Sequence, residues 1–150
     1  MTSKKIDQGA WVVACDGRKA IILENTGDAV FPNLRVRETY EHADQANHVT
    51  GHAAPGRSFQ SIGHHRSAVA ETDRHDEAER SFLHTLVERL ARALLDGKTE
   101  SMTMVAPPRA LGMIREAYSP AVRRAIVREI AKDVVKLPVH EIEHLVTQPA

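Results

Sequence analysis

Disulfides, thiolate metal clusters, a membrane span and a strong overall charge all lie outside what this composition allows. Cys15 is the only cysteine among 150 residues, so no intramolecular disulfide or multi-thiolate site can form within one chain. It ends the apolar run Trp11-Val12-Val13-Ala14-Cys15, where a buried, inert thiol is expected. Lys plus Arg and Asp plus Glu each total 20. With no global field to draw the molecule to a polyanion, any such site must be local. No segment has the length of a bilayer span, and Met1 to Gln8 lacks the apolar core of a signal peptide. Membrane insertion is not expected, and the cytoplasm is the expected compartment. With 42% hydrophobic and 27% charged residues, the chain has the balance of a folded protein, and 150 residues suit one domain over 1–150.

Trp11 to Cys15, Asp16-Gly17 and Arg18 to Glu24 predict two strands joined by a type I′ hairpin. Leu34 to Glu41 alternates, with Leu34, Val36 and Tyr40 on one side and Arg35, Arg37, Thr39 and Glu41 on the other, as a half-solvated third strand would. A long polar loop is expected around 42–74, where Gly51, Pro55, Gly56 and Gly63 interrupt any period. Phe82, Leu83, Leu86, Val87, Leu90 and Leu94 then recur at helical spacing. A helix from about Arg74 to Leu95 follows, capped by Thr72 or Asp73 and closed by a left-handed exit at Asp96-Gly97. Ser101 to Ala106 predicts a strand stopped by Pro107-Pro108, and a helix near Arg109 carries Leu111, Ile114 and Tyr118. Ser119-Pro120 opens a further helix with Val122, Ile126, Ile130, Val134 and Leu137 as its stripe. His140 to Val146 closes the chain as a short helix. The class is α/β: a three-stranded antiparallel meander followed by alternating helices and strand.

The segments Ala14 to Ala20 (ACDGRKA), Pro55 to Ser58 (PGRS), His64 to Asp73 (HHRSAVAETD), Val105 to Gly112 (VAPPRALG), Glu129 to Val134 (EIAKDV) and Leu137-Pro138, in that order, resemble the bacterial host attachment protein family. The resemblance implies kinship with domains of archaeal and eukaryotic peptide-chain release factors and an RNase H-like or ribosomal S11/L18-like topology. It implies neither nuclease activity nor a cofactor. The Gly-Gly-Gln motif of release factors is missing from the sequence.

His140-Glu141-Ile142-Glu143-His144 satisfies the His-Glu-x-x-His zinc pattern, which would set His140 and His144 on one helix face with Glu141 to activate water. Its place near the chain end, on a short helix with no evident third ligand, favours plain surface residues. His48 and His52 would align only on a helix that Gly51 opposes. Arg57, His64, His65 and Arg66, bracketed by Gly56 and Gly63, form an anion-binding candidate, since arginine pairs bidentately with phosphate and glycine permits close approach. Arg124, Arg128 and Lys132 recur every four residues and predict a basic helix face. Asp16, with Asp73 and Asp76, would be the carboxylates of a metal-dependent nuclease, but the Asp-Gly turn explains Asp16 by itself.

These readings favour a noncatalytic interaction protein with RNA, a ribosome or a protein as partner, affecting attachment indirectly. A metal-dependent hydrolase or nuclease is the alternative. No cofactor is expected, oligomeric state stays open, and the loop at 56–66 is expected to be more function-sensitive than the motif at 140–144.

Overall fold

The computed structural model describes residues 5–42 and 64–148, the side chains of 64–73 excepted. Five strands form one mixed sheet in the order β3-β2-β1-β4-β5. β1 (Trp11–Cys15), β2 (Lys19–Asn25) and β3 (Leu34–Glu41) make the antiparallel meander. β4 (Met102–Ala106) and β5 (Ile126–Ala131) lie parallel to β1 and to each other. Because β1 and β4 are central and covered on both faces, they read as unbroken apolar runs. Trp11, Val13, Cys15, Met102 and Met104 join one buried cluster, while Val12, Ala14 and Val105 join the other.

The first cluster is closed by α1 (His64–Leu95), α2 (Pro108–Arg115) and α3 (Pro120–Ala125). Leu83, Leu86, Val87 and Leu90 of α1 are buried in it, each large side chain contributing about 1.5–3 kcal/mol before ordering costs. The second cluster is closed by Ile142 and Val146 of α4 (Val139–Thr147). Gly97, at φ +72, ends α1 as expected. Lys98 N–H donates to Ala93 O and Gly97 N–H to Leu94 O, the pair of bonds that defines a Schellman cap. The Ser119 hydroxyl accepts from Val122 N–H at 3.2 Å, and Pro120 occupies the first turn of α3.

Several sequence expectations change. Helix α1 begins at His64, ten residues before Arg74, so Thr72 and Asp73 lie inside it and not ahead of its first turn. The expected helix through Leu137 stops at Ala125, and Ile126–Ala131 is a strand. β-branched Ile126, Val127 and Ile130 suit either structure, and pairing with β4 decides between them. The stripe residues are still used: Val122 is buried in one cluster, Ile130 and Val134 in the other.

The first hairpin is not type I′, since Asp16, Gly17 and Arg18 all avoid positive φ. The Asp16 carboxylate instead accepts from Arg18 N–H and Lys19 N–H, both at 2.8 Å, forming a side-chain-closed turn. In β3 the register shifts opposite Ile22/Leu23, leaving Arg37 as the extra residue. That bulge reverses the alternation: Leu34 belongs to the α4 side and Tyr40 packs on the α1 side.

Candidate functional site

Parallel strands deliver their C-terminal ends to one edge of the sheet, the usual place for a ligand in open α/β folds. Here that edge carries Asp16 after β1, Arg109 in the first turn of α2, and Asp76 and Glu79 on α1. The carboxylates are already engaged. Arg109 forms ion pairs with both Asp76 and Glu79, and hydrogen bonding to Glu79, followed by its charge, raises the Arg109 pKa further. The Asp16 carboxylate holds its own turn. Among the described residues no group of three or more His, Cys, Asp or Glu is arranged to hold a metal ion. The Asp73 side chain lies outside the described residues.

The terminal zinc-like motif is equally unassembled. His140, Glu141 and His144 are exposed on α4, opposite the buried Ile142 and Val146. The His144 ring lies 2.8 Å from Gln148 Nε2. Glu143, inside the motif, accepts from Leu34 N–H at 2.9 Å and so ties α4 to β3.

The other predicted cations are dispersed. Arg124 lies on α3, Arg128 on β5 and Lys132 just beyond β5, so they share no helix face. Arg128 donates to Val146 O at 3.1 Å, anchoring the end of α4. Arg57 lies outside the described residues, as do the side chains of His64, His65 and Arg66; His48 and His52 also fall there.

A better-formed concavity runs where edge strand β3 flanks α1. Helix positions 82, 85, 89 and 92 recur every three or four residues, so they line one flank of α1. Its upper hollow, about 250 Å³, is lined by Tyr40, His42, Phe82, Thr85 and Arg89 among others. The His42 and Phe82 ring centroids are 6.0 Å apart. Its lower hollow, about 380 Å³, is lined by Trp11, Glu38, Tyr40, Arg89, Arg92 and Lys98 among others. Tyr40 and Arg89 belong to both, and the Arg89 guanidinium carbon lies 4.2 Å from the Tyr40 ring centroid, a cation–π stack. Arg37 stands 5.0 Å over the Trp11 ring and pairs with Glu24 at 2.7 Å. Among the described residues, Arg92 and Lys98 have no ion-pair partner.

Residues 11–145 match the family described as proteins required for attachment to host cells. The chain belongs to that family. No curated protein matches the sequence. Among the described residues the family match spans β1 to β5, α1 to α3 and α4 as far as Leu145, so the groove and the strand-end cluster both lie within its bounds. No helix among the described residues is long and apolar enough to cross a membrane.

Sequence reasoning missed this groove. Beside the leucine stripe of α1, Arg89 and Arg92 read as part of a solvated face, and simple alternation along β3 puts Tyr40 on the same side as Leu34. The only signal was Arg and Thr recurring beside the leucine stripe, and it gains meaning only once β3 is the neighbouring edge.

Proposed function

We propose that this host-attachment-family chain is a noncatalytic interaction protein, one domain over 1–150, that works in the cytoplasm and grips RNA or a ribonucleoprotein along the α1–β3 groove. The observation carrying the proposal is a contrast in how charge is used. At the strand ends Arg109 is ion-paired with both Asp76 and Glu79, while in the groove Arg92 and Lys98 have no ion-pair partner among the described residues. A nuclease needs carboxylates available to metal ions, and a nucleic-acid surface needs available cations beside aromatic platforms. Residues Arg57, His64, His65 and Arg66 extend the proposal as further anion contacts on the strength of their glycine-bracketed sequence. An effect on attachment is then indirect, through the bound partner. Kinship with release-factor domains and an RNase H-like or ribosomal S11/L18-like origin belong to the same reading, supported by a meander that leads into parallel strands.

Binding to single-stranded and structured RNA across a salt series tests it. Affinity should fall steadily as salt rises, because phosphate contacts release counterions. Folded protein that binds neither RNA at low salt contradicts the proposal.

A further inference from the structure

We infer that the lower hollow, walled by Trp11, Glu38, Tyr40, Arg89, Arg92 and Lys98, receives one nucleotide of an unpaired strand, with its phosphate on Arg92 and Lys98 and an amino group of its base on Glu38. The inference rests on the groove being the partner surface and names the unit it accepts.

Charge comes first. Exposed Arg92, Lys98 and Glu88 and half-buried Glu38 line the same space; Glu88 lies 3.6 Å from His84, whereas Arg92, Lys98 and Glu38 have no ion-pair partner among the described residues. A simple oxyanion satisfies the cations and is repelled by Glu38. A nucleotide satisfies both, since a carboxylate accepts from the exocyclic amino group of cytosine. The second observation is a platform: the Arg89 guanidinium carbon lies 4.2 Å from the Tyr40 ring centroid, both residues line the hollow, and unpaired bases stack on aromatic and guanidinium planes. A zwitterionic peptide end matches the charges and makes no use of that platform. Third, Trp11 lines the hollow while being 2% exposed, which gives it an apolar wall. A volume of about 380 Å³ falls in the range of about 300–1,000 Å³ typical of small-ligand sites.

Trp11 is the only tryptophan, so its fluorescence reports on this hollow directly. The full chain is titrated with cytidine monophosphate, uridine monophosphate, inorganic phosphate and glycylglycine. The cytidine nucleotide should change Trp11 emission saturably and bind at least about fivefold tighter than the other three, the lower bound for one good base contact. Glu38→Ala should abolish the preference for cytidine over uridine, and the pair Arg92→Gln with Lys98→Gln should weaken both nucleotides. Equal affinity for phosphate and cytidine monophosphate overturns the base contact, and tighter binding of glycylglycine replaces the nucleotide with a peptide. If Trp11 does not respond while RNA still binds in the salt series, this assignment fails and the groove's broader role survives. If RNA does not bind either, both fall.

Discussion

Gly17 and Glu79 approach so closely that a Cβ built on Gly17 would lie 2.7 Å from the Glu79 side chain. The turn after β1 is thereby seated against α1, while Glu79 is held by Arg109. Gly17→Ala should push Glu79 aside, weaken that pair and cost on the order of 1 kcal/mol. In a Glu79→Ala background the same substitution should cost much less. Urea unfolding of the four proteins in this double-mutant cycle measures the coupling. An equal cost in both backgrounds would move the cause from side-chain contact to the turn itself.

Asn25 is fully buried, and its side chain organises the β2–β3 connection. Its amide donates to Ile6 O at 2.8 Å, Asp28 O at 3.2 Å and Asp7 O at 3.3 Å, and its carbonyl accepts from Asn33 N–H at 2.8 Å and Gly27 N–H at 3.0 Å. Asn25→Ala strands several buried backbone groups and should destabilise by about 3 kcal/mol or more. A loss below about 1 kcal/mol in chemical denaturation would show that water replaces these bonds readily.

Burial, followed by the nearby Asp16 charge, pushes the Cys15 thiol up to about 12. The folded protein should therefore resist thiol-labelling reagents at pH 8, reacting only as fast as it opens, and should react promptly in denaturant. Rapid labelling of the native state would contradict the buried end of β1.

Glu129 accepts from Arg115 Nε at 2.9 Å and from the Tyr118 hydroxyl at 2.8 Å. Burial alone would raise its pKa, but the bonds from Arg115 and Tyr118 outweigh this and hold it below the ordinary 4.5. Burial, then the bond to Glu129, raises the Tyr118 phenol, which stays protonated as the donor. A depressed carboxylate pKa stabilises the fold above its unfolded value and ceases to do so as pH falls through the folded value. Glu129→Gln should thus lower Tm at pH 7, and the gap to the parent should narrow below about pH 4.5 and close as pH falls through the folded value. A gap that persists unchanged at pH 3 would show that packing, and not charge, is what the substitution disturbs.

Features set by near neighbours were legible in the sequence. Leu83, Leu86 and Leu90 announced their helix by spacing, Gly97 announced its end and Ser119 the start of α3, because caps are made from residues a few positions apart. Features set by distant partners were not. Ile126–Ala131 is a strand through pairing with β4, and Tyr40 faces α1 because Arg37 adds a residue opposite Ile22 and Leu23. The groove needs Glu38 and Tyr40 beside Arg89 and Arg92, some fifty residues along the chain, so no local motif marks it. His140, Glu141 and His144 show the converse: a legible motif whose surroundings supply no further ligand among the described residues.

The central claim is that Arg92 and Lys98 contact a polyanion through charge. The most direct measurement is the slope of log affinity against log salt for single-stranded RNA, taken for the parent and for the double variant Arg92→Gln, Lys98→Gln. Each phosphate contact on a single strand contributes about −0.7 to that slope, so losing two should make it shallower by about 1.4, with weaker binding at low salt and unchanged thermal unfolding. A folded double variant whose affinity and slope match the parent's would contradict the account.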